Sequence, residues 1–378
     1  MKISTLLAIA AAAAVSAAPL APRADEVAEP DKYLIKLSET EEKWVTDEER
    51  WELRRQGVHF FDKTFSSTTS AENKVKRQAV SYPTTAKFTS AVNGLISSLS
   101  TSNMRTNLQG LTAFTNRYYR SSTGTQSATW LRDLVQDTID AAGGGATVEF
   151  FTHSRWNQNS IIAKVPGKSA RTIVVGGHFD SVNMNNPTSG TAPGADDDGS
   201  GSITNLEILK AYLSSSTVRN GQAENTVEFH WYAAEEAGLL GSQAIFNSYA
   251  SQGRNVIAML NHDMTGYSAG MTNAGQSKSL AVVTDYVNNA LSNFARLMIR
   301  TYTSLPITTS TCGYACSDHA SATEAGFPAA YVFESPDAYS SPYIHSAQDT
   351  ISTVDFGHML NHARAGLGFV YELAFTRF

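Results

Sequence analysis

Five short stretches of the chain carry residue types that bind metal ions. They are GGHFDS with His178 and Asp180, GADDDGSG with Asp197, YAAEEAG with Glu235 and Glu236, LNHDMTGY with Asp263, and YIHSAQDT with His345. Singly, each has a bland reading as a polar strand end, a helix cap or a solvated acid pair. Together they supply two imidazoles, three carboxylate ligands and one spare carboxylate beside a ligand. That is the donor set of two zinc ions about 3.5–4 Å apart with a general base next to them.

Each stretch has a chemical reason. His178 offers a neutral imidazole at a strand end, and Asp180, two residues on, is placed to fix its tautomer. Asp196, Asp197 and Asp198 are adjacent acids whose mutual repulsion a bound cation would offset. One of them could bridge two metals through its two oxygens; the alternative is that the cluster caps a helix starting near Ser200. Glu235 and Glu236 follow an apolar strand and point in different directions at a turn. One can bind metal while the other takes a proton from water and hands it to a leaving amine. Asp263 is favoured over its neighbour His262, since consecutive strand residues face opposite ways. His319 in CSDHA is a further competitor for ligation. The sequence holds no GxSxG elbow, HExxH helix or Gly-rich phosphate loop.

Such a site needs a scaffold that brings distant segments together. From residue 146 onward the chain alternates strand-like runs (ATVEFFTHS, TIVVGGHF, TVEFHWYAA, NVIAMLNHD, AAYVFES) with helix-like ones (SITNLEILKAYLSS, LLGSQAIFNSYASQ). Two earlier runs, TAKFTSAVNGLISSLS and SATWLRDLVQDTIDAAG, also have helical spacing. The reading is one α/β domain with a central sheet. His178, Glu235, Glu236 and Asp263 directly follow strand candidates. Three strands therefore deliver their candidate ligands to the carboxyl edge of the sheet, where open α/β sheets bind ligands.

Composition narrows the setting. A net charge of −6 is too mild to argue for nucleic acid or an anionic membrane. Residues 1–18 read as a secretory signal peptide: Lys2, a run of small apolar residues, then Val15-Ser16-Ala17. No later apolar run approaches the ~18 residues that span a bilayer. The expectation is an exported, soluble, extracellular protein. From residue 18 to 77 there are 24 charged residues in 60, against 39 in the 301 residues from 78 to 378. That block contains a capping box, Thr46 with Glu49, and Gly57 as a helix stop. It ends in Lys76-Arg77, a dibasic pair for a processing protease. The expected organisation is a signal peptide (1–18), a propeptide (19–77) and a catalytic domain (78–378). Cys312 and Cys316, the only cysteines, are expected to pair as a disulfide in an oxidising compartment.

In order and spacing, GGHFDS, PGADDDGSG, AAEEAGLLGS, NHDMTGY, CGYACSDHA and YIHSAQDT resemble the co-catalytic di-zinc aminopeptidases of the bacterial leucyl aminopeptidase type. The leader and pro-segment resemble their secreted fungal leucine aminopeptidase branch. The resemblance implies a mixed, mostly parallel sheet of about eight strands flanked by helices on both faces. It implies two Zn2+ per chain: His178 and Asp263 on one, Glu236 and His345 on the other, Asp197 bridging. Glu235 would be general base and acid toward a bridging water, and Asp180 would orient His178. A Cys312–Cys316 disulfide would place Tyr314 toward the substrate. Peptides with a free N-terminus would be the substrates, with Leu and other large apolar first residues preferred, and the protein would be a monomer. Met264, Tyr314, Phe333 and Ile344 are candidate walls of the side-chain pocket. The competing readings are another dimetal amidase, a single-zinc glutaminyl cyclase type and a non-catalytic binding module. The first needs an Arg for a substrate carboxylate, and the quoted motifs hold none.

Overall fold

Residues 32–64 contribute strands β1 (Tyr33–Lys36), β2 (Glu42–Val45) and β3 (Phe61–Asp62) and helix α1 (Asp47–Arg55). Three helices follow later, α2 (Thr89–Ile96), α3 (Thr101–Leu111) and α4 (Ser122–Ala141). Strands β4 (Thr147–Phe151), β5 (Ser160–Val165) and β6 (Ser169–His178) lead into helices α5 (Gly199–Leu213) and α6 (Ser216–Arg219). Then come β7 (Asn225–Tyr232), α7 (Leu240–Ser251), β8 (Val256–Asn261), α8 (Ala269–Asn273) and β9 (Leu280–Val283). The chain closes with α9 (Asn289–Tyr302), β10 (Ile307–Ser310), α10 (His319–Glu324), β11 (Ala329–Phe333) and α11 (Phe356–Phe375). This computed structural model describes residues 32–38, 40–64 and 80–378. The expected signal peptide, the first part of the expected propeptide and the Lys76-Arg77 pair lie outside the described residues.

The central sheet has eight strands in the order β10-β9-β11-β8-β6-β7-β5-β4. Its middle, β11-β8-β6-β7, is parallel, as is β10 with β9. β9 with β11, β7 with β5, and β5 with β4 are antiparallel. Both faces are covered, as the resemblance implied. Ile173 and Val175 of β6 join the large core shared with α5, α9 and α11, while Val174 between them joins a second core with Phe246 of α7 and Met259. Burial on both faces explains why all six residues of β8 are buried and why its sequence, VIAMLN, reads as a nearly continuous apolar run. Helix α5 has one residue, Lys210, that is not buried.

Sequence pattern missed β5, β9 and β10 of the central sheet, the strands β1, β2 and β3, and the helices α3, α6, α8, α9, α10 and α11. The helix expected over 85–100 is shorter, α2 from Thr89 to Ile96; just beyond it the Ser100 side chain accepts the Asn103 N–H at 3.2 Å to start α3. Within residues 32–64, β2-β1-β3 form a small antiparallel sheet. Thr46 and Glu49 make the expected capping box at the start of α1, and Gly57 takes φ +75° just past its end.

His153 connects this scaffold to solution pH. It is buried, stacks on Trp156 at 4.5 Å, and its Nε2 lies 2.8 Å from Ser160 Oγ. That hydroxyl also accepts the Ala233 N–H at 3.0 Å. Burial pushes the His153 pKa down to about 3. An unfolded histidine titrates near pH ~6.5, so between these values the unfolded chain takes up a proton that the folded chain refuses. This contribution to stability is complete above the unfolded pKa and is lost as pH falls toward the folded one. Thermal melting from pH 7 to 4 should show a steeper fall for the parent chain than for His153→Gln; equal slopes would assign the acid sensitivity to other groups.

Candidate metal centre

Adjacent strands bring the site together. His178 is the last residue of β6, Glu235 lies three residues beyond β7, and Asp263 two beyond β8. Since β8, β6 and β7 are parallel neighbours, their carboxyl ends meet. The register allows this only with glycine at two positions. A Cβ at Gly177 would meet the His262 carbonyl oxygen at 2.0 Å, and one at Gly201 would meet Asp198 Oδ1 and the same carbonyl at 2.4 Å.

Asp197 sits at the centre. Its Oδ1 lies 3.1 Å from His178 Nε2, and its Oδ2 lies 3.0 Å from His345 Nε2. His178 Nε2 is 3.5 Å from Asp263 Oδ1, and His345 Nε2 is 3.2 Å from Glu236 Oε2. Two groups able to hold an ion result, His178–Asp197–Asp263 and Asp197–Glu236–His345, sharing Asp197. In each, the candidate ligand atoms lie within 4.8 Å of one another.

Asp180 has a wider part than expected. Its Oδ1 is 3.4 Å from His178 Nδ1, which also lies 3.1 Å from its backbone carbonyl. The same carboxylate accepts the N–H groups of Glu235 (3.0 Å) and Glu236 (3.2 Å). It therefore fixes the glutamate turn as well as the imidazole. The acid triplet splits its work too. Asp198 Oδ1 accepts from Gly201 and Met264, and Asp196 Oδ1 from Gly266, so both flanking acids hold loops while Asp197 faces the centre. Asp198 thus caps α5 as well. Ala234, Met264 and His345 all adopt positive φ (56°, 57° and 57°), a costly conformation for residues with a Cβ, and each is at or beside a candidate ligand.

The electrostatics ask for positive charge. Four carboxylates and two imidazoles converge in a buried space. Burial works against protonation of His178 and His345, but the surrounding carboxylates, Asp263 and Glu235 for one and Glu236 and Asp197 for the other, outweigh it and hold both pKa values well above normal. Burial raises Asp197, yet its hydrogen bonds to the two histidines bring it below the ordinary carboxylate range. Burial pushes Glu235 well up, and Glu236, Asp318 and Asp263 add to this against the pull of His178. Glu236 Oε1 and Asp263 Oδ1 are buried and accept no hydrogen bond.

The two competing histidines lie elsewhere. His262 Nδ1 pairs with Asn205 Oδ1 at 2.8 Å, and His319 packs on Tyr331 at 4.9 Å. Met264 and Phe333 share one apolar cluster with Ile344 and with Cys312 and Cys316, whose sulfurs are bonded at 2.05 Å. Tyr314 belongs to a different contact. His59 stacks on it at 5.2 Å and also lies 5.6 Å from the His345 ring. From the same segment, Arg54 Nη1 lies 3.8 Å from Glu236 Oε2. β3 is fastened alongside: Asp62 N–H donates to Gly238 O (3.2 Å), and Gln243 Nε2 donates to Asp62 O (2.9 Å). Phe61 packs with Leu239, Ala315 and Ala320. Nothing in the sequence of residues 32–64 signalled that Arg54 and His59 reach the site.

A buried, shared carboxylate among candidate His and acid ligands, at the strand ends of a both-face-covered sheet, is an arrangement that fits a metal-dependent hydrolase. Residues 160–370 match the model of peptidase family M28. Leucine aminopeptidase 1 of Paracoccidioides brasiliensis is 48% identical over the whole of both chains. Probable leucine aminopeptidase 1 of Trichophyton verrucosum is also 48% identical, over 99% of this chain and 100% of its own. Among solved structures, the LapA aminopeptidase of Legionella pneumophila superposes with a TM-score of 0.78 at 30% identity, over 93% of this chain and 96% of its own. The chain belongs to peptidase family M28, in the branch of the fungal leucine aminopeptidases, and is by that membership a hydrolase of the aminopeptidase type.

Proposed function

We propose that the protein releases N-terminal residues, preferably Leu and other large apolar ones, from peptides with a free N-terminus, using two zinc ions. The observation that carries this is Asp197, whose two oxygens face His178 and His345 on opposite sides. In this reading His178 and Asp263 hold one ion, Glu236 and His345 the other, and Asp197 bridges. Nitrogen and oxygen donors of this kind suit zinc, with cobalt or manganese as substitutes. The buried, unbonded oxygens of Glu236 and Asp263 fit the same assignment. When bound, zinc supplies Lewis acidity toward the scissile carbonyl and toward water.

The chain's own residues do the rest. Glu235 takes the proton from the attacking water and gives it to the departing amine, and its raised pKa suits a group that must do both. Asp180 holds His178 and the Glu235 backbone in place. Met264, Phe333 and Ile344 offer apolar area to the first side chain, and Tyr314 stands at the entrance. Residues 19–77 act as a propeptide, and residues 32–64 of it cover that entrance through Arg54 and His59. The mature, monomeric enzyme is exported and begins after Arg77, where a processing protease cuts.

The test is hydrolysis of Leu-p-nitroanilide beside its N-acetylated form by processed protein, before and after chelation. The free-amine substrate alone should be cleaved, with activity lost on chelation and restored by zinc. Cleavage of both substrates would instead indicate a deacylase or endopeptidase.

A further inference from the structure

The loop after His345 returns to the Asp197 turn. Asp349, buried and four residues beyond His345, accepts the Asp196 N–H on Oδ1 at 2.9 Å and the Asp197 N–H on Oδ2 at 3.0 Å. Its backbone carbonyl accepts the Ala195 N–H at 3.2 Å. Three successive N–H groups of the turn carrying Asp197 thus end on one residue of the loop carrying His345. These two segments are far apart in sequence and belong to no common strand pair. The other ligands need no such device, since β6, β7 and β8 set their spacing through the sheet ladder.

We infer that Asp349 is a positioning residue of the metal centre, holding the Asp197 turn at the separation from His345 that a shared ion requires. The inference rests on the two-metal reading proposed above. A carboxylate suits the task because both its oxygens accept, one for each N–H. An asparagine keeps one acceptor and turns an NH2 group toward the second N–H. Burying a charge beside Asp197 is costly, and a residue serving packing alone would not carry one. The Arg117 guanidinium offsets part of that cost: it stands near Asp349 and donates to the carbonyls of Phe179, Pro193 and Gly194, bracing the same turn from its other side.

The experiment measures zinc dissociation constants of the full chain by competition with a chromophoric chelator, for the parent, Asp349→Asn and Asp349→Ala. Melting of each zinc-free chain is recorded alongside. The weaker zinc site should lose about tenfold to a hundredfold in affinity, the range seen when partners of metal ligands are removed. The alanine variant should be affected more than the asparagine variant, and the zinc-free fold should be retained. Unchanged zinc affinities would overturn the inference. So would loss of the zinc-free fold in both variants, which would make Asp349 a structural residue. A parent chain that binds fewer than two zinc ions would instead sink the two-metal reading, and the inference with it.

Discussion

Glu235→Gln should lower kcat for Leu-p-nitroanilide by on the order of 10²–10⁴-fold while leaving the zinc content at the parent level, as expected for loss of a general base. The substitution preserves shape, and the turn is held from outside the side chain: the Glu235 N–H donates to Asp180 Oδ1. What is lost is the ability to accept a proton. The neighbouring change, Glu236→Gln, should behave differently. Glu236 Oε2 faces His345, so its loss should appear first as weaker zinc binding, with activity recoverable at high zinc. The pair of variants therefore separates two adjacent glutamates that residue pattern alone left open and only the family resemblance assigned. Glu235→Gln retaining more than about a tenth of the parent kcat would remove it from the proton-transfer role.

How far the sequence could be read depended on the kind of signal. β6 and β8 were legible because they are buried on both faces and end in the polar residues that interrupt an apolar run, and β7 because Val227, Phe229, Trp231 and Tyr232 are strand-forming types. β9 (LAVV) and β10 (ITTS) have four residues each, too few for a pattern to show, and β5 (SIIAKV) sits close to other apolar runs. Helix α11 is buried along most of its length and has almost no polar face, so a search for amphipathic spacing passes over it. Among site residues, every candidate in the five motifs lies at one centre. The triplet Asp196–Asp198 was visible as a cluster, but only the fold separates the acid that faces the centre from the two that hold loops. Asp349 was in view within YIHSAQDT, yet nothing local says that its partners are N–H groups some 150 residues away. The contacts of Arg54 and His59 are beyond any local pattern, since they join a segment whose own sequence shows only a charged helix to a site on another sheet.

That contact leads to the second large effect. A full chain whose processing is blocked by Arg77→Ala should be about a hundredfold less active than processed chain. The estimate is one of effective concentration: a tethered segment competes at roughly 1 mM, so an intrinsic affinity of only about 10 μM for the entrance suppresses activity about a hundredfold. Arg50 is buried, lying 3.0 Å from Asp62 and 3.9 Å above the Tyr33 ring, so α1 and β3 form one unit. Lys36 pairs with Glu324 at 2.9 Å on the catalytic side. Arg54→Ala with His59→Ala should restore much of the activity without cleavage, because these two side chains reach the centre and the others only hold the segment down. Cleavage after Arg77 changes the competition from intramolecular to bimolecular. Specific activity of the cleaved mixture should then rise on dilution, as the released segment falls below its dissociation constant, whereas the uncleaved chain should show no such dependence. Equal activities of the blocked and processed chains would mean that the segment leaves the entrance by itself, and its role would then lie in folding.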